Sequence, residues 1–237
     1  MIDTNFDVYS DTPPGRDPDS HSPTLRRYHA DLWSKPLPDG TPFVLVPDGR
    51  SRYLYHQSPR GEFVLASDAI GHTYRDIRSM AHVIDRTPAV QIAQFYRLCS
   101  TIGAYTLFPA RMIDGKQNIN QARGCNNHIR DRFDLTLECI RRHYLGEESP
   151  LSDVLSRYEA FFALFGTFEK YVGFFLLDDL ISDDLAQVRF FLPFDDFRGT
   201  PLPKDVDHYR DYLNAVSDFI GSRNDRISAL VTSQTKE

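Results

Sequence analysis

Cysteine is scarce in this chain, and lysine is scarce beside arginine. Of 237 residues only three are cysteine, Cys99, Cys125 and Cys139. That odd number at wide spacing excludes both a disulfide framework and a Cys-x-x-Cys metal knuckle, so the three read as reduced thiols of a cytoplasmic protein. No apolar run approaches the ~18 residues that cross a bilayer. The first twenty residues carry Asp3, Asp7, Asp11, Asp17 and Asp19 with no apolar stretch among them, so no secretory signal is read there. Also missing are the Gly-x-Gly-x-x-Gly dinucleotide loop, the Walker A loop, the His-Glu-x-x-His zinc helix and the Gly-x-Ser-x-Gly elbow, which excludes the common dehydrogenases, NTPases, zincins and α/β-hydrolases. Basic residues number 27 against 33 acidic ones, a net charge of −6. A balance of that sign provides no chain-wide attraction for nucleic acid or anionic lipid.

What is present is an ordinary globular composition with many rings. Hydrophobic residues make up 41% and charged residues 25%, with 17 Phe and 12 Tyr, so a sizeable core dominated by ring packing is expected. The pattern predicts an α+β fold in one domain over 1–237, a small antiparallel sheet packed against a mainly helical C-terminal half. Residues 1–23, punctuated by Pro13-Pro14-Gly15 and Pro18, read as an extended arm. The span 24–120 reads as mixed. A helix capped by Thr24 buries Leu25, Tyr28 and Leu32, then a three-stranded meander runs through Phe43–Val46, Tyr53–His56 and Phe63–Leu65 with turns at Pro47-Asp48-Gly49 and Pro59-Arg60-Gly61. A helix with Thr87 as N-cap and Pro88 at its first position follows, then a strand at Tyr105–Phe108. In 121–237 one apolar stripe joins Ile129, Phe133, Leu137, Ile140 and Tyr144, and Gly146 stops it. Helices are expected from Ser149-Pro150 and around Phe168–Leu176, a strand at Val188–Leu192, and a long closing helix from Val206 to Leu230.

Three strings carry a likeness to a known family: Ser10 to His29 (SDTPPGRDPDSHSPTLRRYH), Asp131 to Tyr144 (DRFDLTLECIRRHY) and Phe190 to Phe197 (FFLPFDDF). On them the chain resembles, nearly end to end, a family of uncharacterised bacterial proteins catalogued as a domain of unknown function. The resemblance implies one folded unit and brings no catalytic residue with it.

Two clusters of polar residues could carry chemistry. In an extended arm Asp17, Asp19 and His21 would project to one side, beside Arg16. Two carboxylates and an imidazole suit a divalent ion in principle, yet no second ligand cluster accompanies them, and no metal is assigned. Just downstream Arg26, Arg27 and His29 stand at the first helix turns, where backbone N–H groups favour anions. The expected function is therefore binding of a small anionic or phosphate-bearing ligand between arm and body, through Arg16, Asp17, Asp19, His21, Arg26, Arg27 and His29. The plain alternative is that the arm's carboxylates pair with these arginines. The second cluster is Arg123-Gly-Cys-Asn-Asn-His128, whose Arg-x4-His spacing resembles the short motif of HEPN-type ribonucleases and implies Arg123 and His128 as phosphate stabiliser and acid–base group. Gly124 disfavours the continuous helix that motif needs. A third reading is a non-enzymatic interaction module, whose partner would be another protein or a second copy of this chain. Glu138, Arg141, Arg142 and His143 read as a solvated helix face, and Cys139 as a buried, inert thiol. No cofactor is named by any motif.

Overall fold

The computed structural model describes residues 2–47, 53–184 and 186–234. The chain is α+β, and its helices are α1 (Pro18–His21), α2 (Pro23–Trp33), α3 (Ala81–Ile84), α4 (Ala89–Cys99), α5 (Ile119–Cys125), α6 (Phe133–Leu145), α7 (Ser152–Arg157), α8 (Glu159–Phe162), α9 (Phe168–Phe174) and α10 (Val206–Gln234). A two-stranded sheet pairs β1 (Lys35–Pro36) with β2 (Pro42–Phe43). An antiparallel sheet in the order β3-β4-β5-β6 contains Val46–Pro47, Leu54–Ser58, Gly61–Ala69 and Tyr105–Pro109.

The arm is not extended. Asp7 caps a 3-10 turn at Val8–Asp11, and Asp17 caps α1, with Pro18 supplying the fixed φ of a first helical position. Val8, wholly buried, donates its N–H to the Ser100 carbonyl at 3.0 Å, so the arm is docked on the body. Ser22, not Thr24, caps α2, its hydroxyl accepting from the Leu25 N–H at 3.0 Å. The cap of α4 is displaced by one residue: Pro88 is the cap, and the Thr87 hydroxyl donates back to the Val83 carbonyl at 3.0 Å.

The expected meander divides between the two sheets, and the strand at Tyr105 joins the larger one beside β5. Phe43 belongs to β2, Tyr53 precedes β4, and Asp48-Gly49 of the expected turn lie outside the described residues. The stripe from Ile129 to Tyr144 is broken as well. Arg130 and Asp131 have φ of +45° and +60°, so helix α6 starts only at Phe133. The strand expected at Val188–Leu192 is reduced to a single bridge, Ile181 to Val188. Side chains take over the ladder's role there: the Phe191 N–H donates to Asp134 Oδ2 at 2.9 Å, and the Leu192 carbonyl accepts from Arg132 at 3.3 Å.

Rings fill the interior, as their number predicts. Phe165, Tyr171, Phe174 and Phe175 pack with centroids 5.0–5.3 Å apart, and Trp33 meets Phe175 at 5.3 Å. Beside them the guanidinium of Arg223, on α10, is completely buried. It donates to the carbonyls of Phe175, Gly103 and Tyr105 at 2.7–3.2 Å and has no carboxylate partner among the described residues. Burial pulls its pKa down to about 9. No described helix is long and apolar enough to cross a membrane.

Candidate functional site

Strand β4 pairs with β5 only as far as Leu54 opposite Leu65, whereas β5 continues to Ala69 along β6. Beyond Leu65 one edge of β5 has no strand beside it among the described residues. Helix α1 packs against β5, and Asn120 on α5 donates its side-chain N–H to the Ser67 carbonyl at 3.4 Å. Asp19 comes from α1, Ser67 and Asp68 from β5, and Asn120 and Arg123 from one face of α5, being three residues apart.

Arg123 organises this cluster. Its buried guanidinium forms an ion pair with Asp68, donates to the Asp131 carbonyl at 2.7 Å and the Thr136 hydroxyl at 3.1 Å, and lies 3.9 Å from the Asp131 carboxylate. Burial works against its charge, and Asp68 and Asp131 more than offset that, raising the Arg123 pKa. Burial also raises the carboxyl of Asp68, against the pull of Arg123. The two left-handed residues Arg130 and Asp131 turn the chain back so that Asp131 reaches Arg123, a conformation non-glycine residues adopt at a cost. Gly124 leaves the room: a Cβ there would stand 3.1 Å from Asp131 Oδ2.

Asp19 faces this ion pair. Burial first, then the neighbouring carboxylates Asp17 and Asp68, lift its pKa well above the ordinary carboxylate value, and the opposing pull of Arg123 and Ser67 is smaller. Its Oδ1 is buried without a hydrogen-bond partner, and so are Asn120 Oδ1 and His72 Nε2 nearby. Burial lowers the His72 pKa, with Asp131 opposing. Behind Ser67, His29 accepts the Trp33 indole N–H on Nδ1 at 3.0 Å, which places its own proton on Nε2, 3.0 Å from the Ser67 hydroxyl. Burial, then Arg223, hold its pKa down at about 3, so His29 is neutral.

Of the seven residues expected to hold a ligand, the fold brings Asp19 to the Asp68–Arg123 ion pair and His29 behind Ser67. Arg16 and Asp17 are exposed, and Asp17 spends a carboxylate oxygen on the Asp19 N–H at 3.1 Å. His21 Nδ1 lies 3.1 Å from the Asp17 carbonyl. Arg27 is exposed over the Tyr28 ring, and Arg26 is half-buried on α2. Because α1 is helical, Asp17, Asp19 and His21 do not share the face that an extended arm would give them. No group of three His, Cys, Asp or Glu residues among the described ones could hold a metal ion.

Arg123 and His128 do not share a site. Arg123 is enclosed in its ion pair, whereas His128 is exposed beside a separate cavity of about 150 Å³ lined also by Lys204 and His208. The expected solvated face of α6 is also corrected. Glu138 is buried, gripped by Arg141 at 2.8 and 3.0 Å and by Arg142 at 2.8 Å, and Arg142 reaches on to Asp196. Cys139 is buried, its thiol pushed up to about 12 by burial, as an inert thiol requires.

Sequence reasoning passed over Ser67, Asp68, His72, Asn120 and Asp131. One signal was available: Ser67-Asp68 interrupts the otherwise apolar run from Phe63 to Ile70, and a polar pair within a strand interior demands a partner.

Searches of curated proteins and of solved structures find no match. A family model matches residues 2–227, in agreement with the strings at Ser10–His29, Asp131–Tyr144 and Phe190–Phe197, and the chain belongs to that family, a family of unknown function (DUF6994).

Proposed function

We propose that this protein binds a small cationic ligand, an amine in its ammonium form, at the buried polar cluster where Asp19 of α1 meets Asp68 of β5 and Arg123 of α5. The observation that carries the reading is Asp19, a carboxyl buried with Oδ1 unpartnered. Buried polar atoms are satisfied in nearly all folded proteins, so an orphan beside an ion pair asks for a donor from outside the chain. Three carboxylates, Asp19, Asp68 and Asp131, share the one guanidinium of Arg123. An ammonium group brings three N–H donors and the missing positive charge, and Asn120 Oδ1 stands ready as a second acceptor. The anionic ligand expected from the arm's arginines is less well served, because a phosphate here would face the same three carboxylates.

The chemistry implies exchange of a proton for a cation. Burial raises the Asp19 pKa in the free protein, and an arriving ammonium favours its carboxylate form, so proton release accompanies binding and affinity rises as pH rises. Thermal-shift and calorimetric titrations with methylamine, putrescine and spermidine test this, in two buffers of different ionisation enthalpy so that proton release is read directly. Saturable binding with proton release, lost in Asp19→Asn and weakened in Asn120→Ala, is the expected result. Flat titrations for all three amines, or an Asp19→Asn variant that binds like wild type, would refute the reading.

A further inference from the structure

A cavity lies apart from Asp19, between the β4–β5 hairpin, the end of β6 and the α7–α8 corner. It measures about 200 Å³, and three arginines line it, Arg60, Arg111 and Arg157, over a floor of Phe63, Val64 and Phe161. We infer that this is a binding site for a small organic anion, a phosphate monoester or carboxylate whose apolar body is about the size of one ring.

The charge argument starts from where each guanidinium is already engaged. Arg157 donates from Nη1 to the Asp153 carbonyl at 2.9 Å and from Nη2 to the Gln117 carbonyl at 2.8 Å. It pairs with no carboxylate among the described residues, and its Nε is buried without a hydrogen-bond partner. Arg60 donates to the Ala163 carbonyl at 3.1 Å, and its nearest carboxylate, Asp39, stands 4.0 Å off. Arg111 meets Glu62 at 3.6 Å, both of them well exposed, a pair of small worth. Three positively charged side chains therefore line the cavity, with Glu62 as the one carboxylate in its lining among the described residues. Guanidinium groups cannot lose their charge at neutral pH and present forked donors that match phosphate and carboxylate oxygens.

The backbone holds this arrangement in place. The Tyr158 hydroxyl donates to the Arg111 carbonyl at 2.7 Å, tying the α7–α8 corner to the end of β6, and Phe63 packs edge-on against Phe161 at 5.9 Å. The walls of the cavity are thus held by the fold, which lowers the ordering cost of binding. Size sets the rest: a cavity of about 150 Å³ is enough to hold benzene, so this one admits a single ring with its anionic group among the arginines.

The test is a calorimetric and thermal-shift titration at low salt with four probes: phenyl phosphate, benzoate, inorganic phosphate and benzamidine, which has the same ring with a positive charge. Phenyl phosphate or benzoate is expected to bind saturably, benzamidine not at all. The double variant Arg60→Ala/Arg111→Ala, changed only at exposed side chains, should weaken binding roughly tenfold or more. Arg157→Lys, which keeps the charge and loses the fork, should weaken it too, while Asp19→Asn should leave it unchanged. Binding of benzamidine as tight as phenyl phosphate, a double variant equal to wild type, or no saturable binding of either aromatic anion would overturn the assignment. Inorganic phosphate binding as tightly as phenyl phosphate would overturn its apolar half.

Discussion

His29 makes the sharpest test of how the interior of this protein is built. It is buried, its Nδ1 accepts from Trp33, and its pKa is held at about 3 against 6.5 for an ordinary histidine. In the unfolded chain it takes up a proton as pH falls below about 6.5, while in the folded chain it does not. Between those values the unfolded state binds more protons, so stability must fall as pH falls. Taking the two values at face, lowering the pH from about 7 to about 5 should remove about 2 kcal/mol on account of His29 alone. The perturbation is His29→Gln, whose amide offers an acceptor to Trp33 and a donor to Ser67. The assay is urea unfolding of wild type and variant followed by far-ultraviolet circular dichroism across that pH range. Other groups with shifted pKa values, such as His56, His72 and His143, remain in both proteins and drop out of the difference. Whatever stability the variant starts from, its decline with acid should be shallower by about 2 kcal/mol. Equal slopes would mean that His29 titrates normally in the fold, and the neutral Trp33–His29–Ser67 chain would have to be abandoned.

Two further outcomes follow from single contacts. Arg223→Met leaves the carbonyls of Phe175, Gly103 and Tyr105 without their donor, and a loss of about 2–4 kcal/mol is expected in urea unfolding. A variant as stable as wild type would show instead that burying this unpaired charge cancels its hydrogen bonds. Gly103→Ala should destabilise by about 1–3 kcal/mol, because the new Cβ would lie 2.9 Å from the Ile220 carbonyl and 2.5 Å from Asn224 Oδ1 on α10; an unchanged melting temperature would contradict that close approach.

The local pattern of the sequence is enough for much of the fold. Leu25, Tyr28 and Leu32 are the buried face of α2, Gly146 ends α6 in the left-handed conformation with φ +70°, and Val206 opens the long closing helix, because periodicity and caps act over a few residues. Where neighbours distant in sequence compete with that local pattern, it fails. Val188–Leu192 has strand composition, but the side chains of Arg132 and Asp134 claim its Phe191 N–H and Leu192 carbonyl. The apolar stripe running through Ile129 and Phe133 is interrupted because Asp131 turns back toward Arg123.

The same division holds for the candidate sites. From the sequence alone follow most of the helical segments, the ring-rich core, the inert Cys139 and the concentration of charge in the arm, since composition and short-range spacing determine these. Only the tertiary structure decides that Asp19, and not the arginines around it, faces Asp68 and Arg123, residues 49 and 104 positions further on by their numbers. It also decides that Arg60, Arg111 and Arg157 line one cavity. The physical reason is the same in both places: whether a charge is paired, buried or left facing a cavity depends on which distant segment packs against it, and no spacing within one segment encodes that.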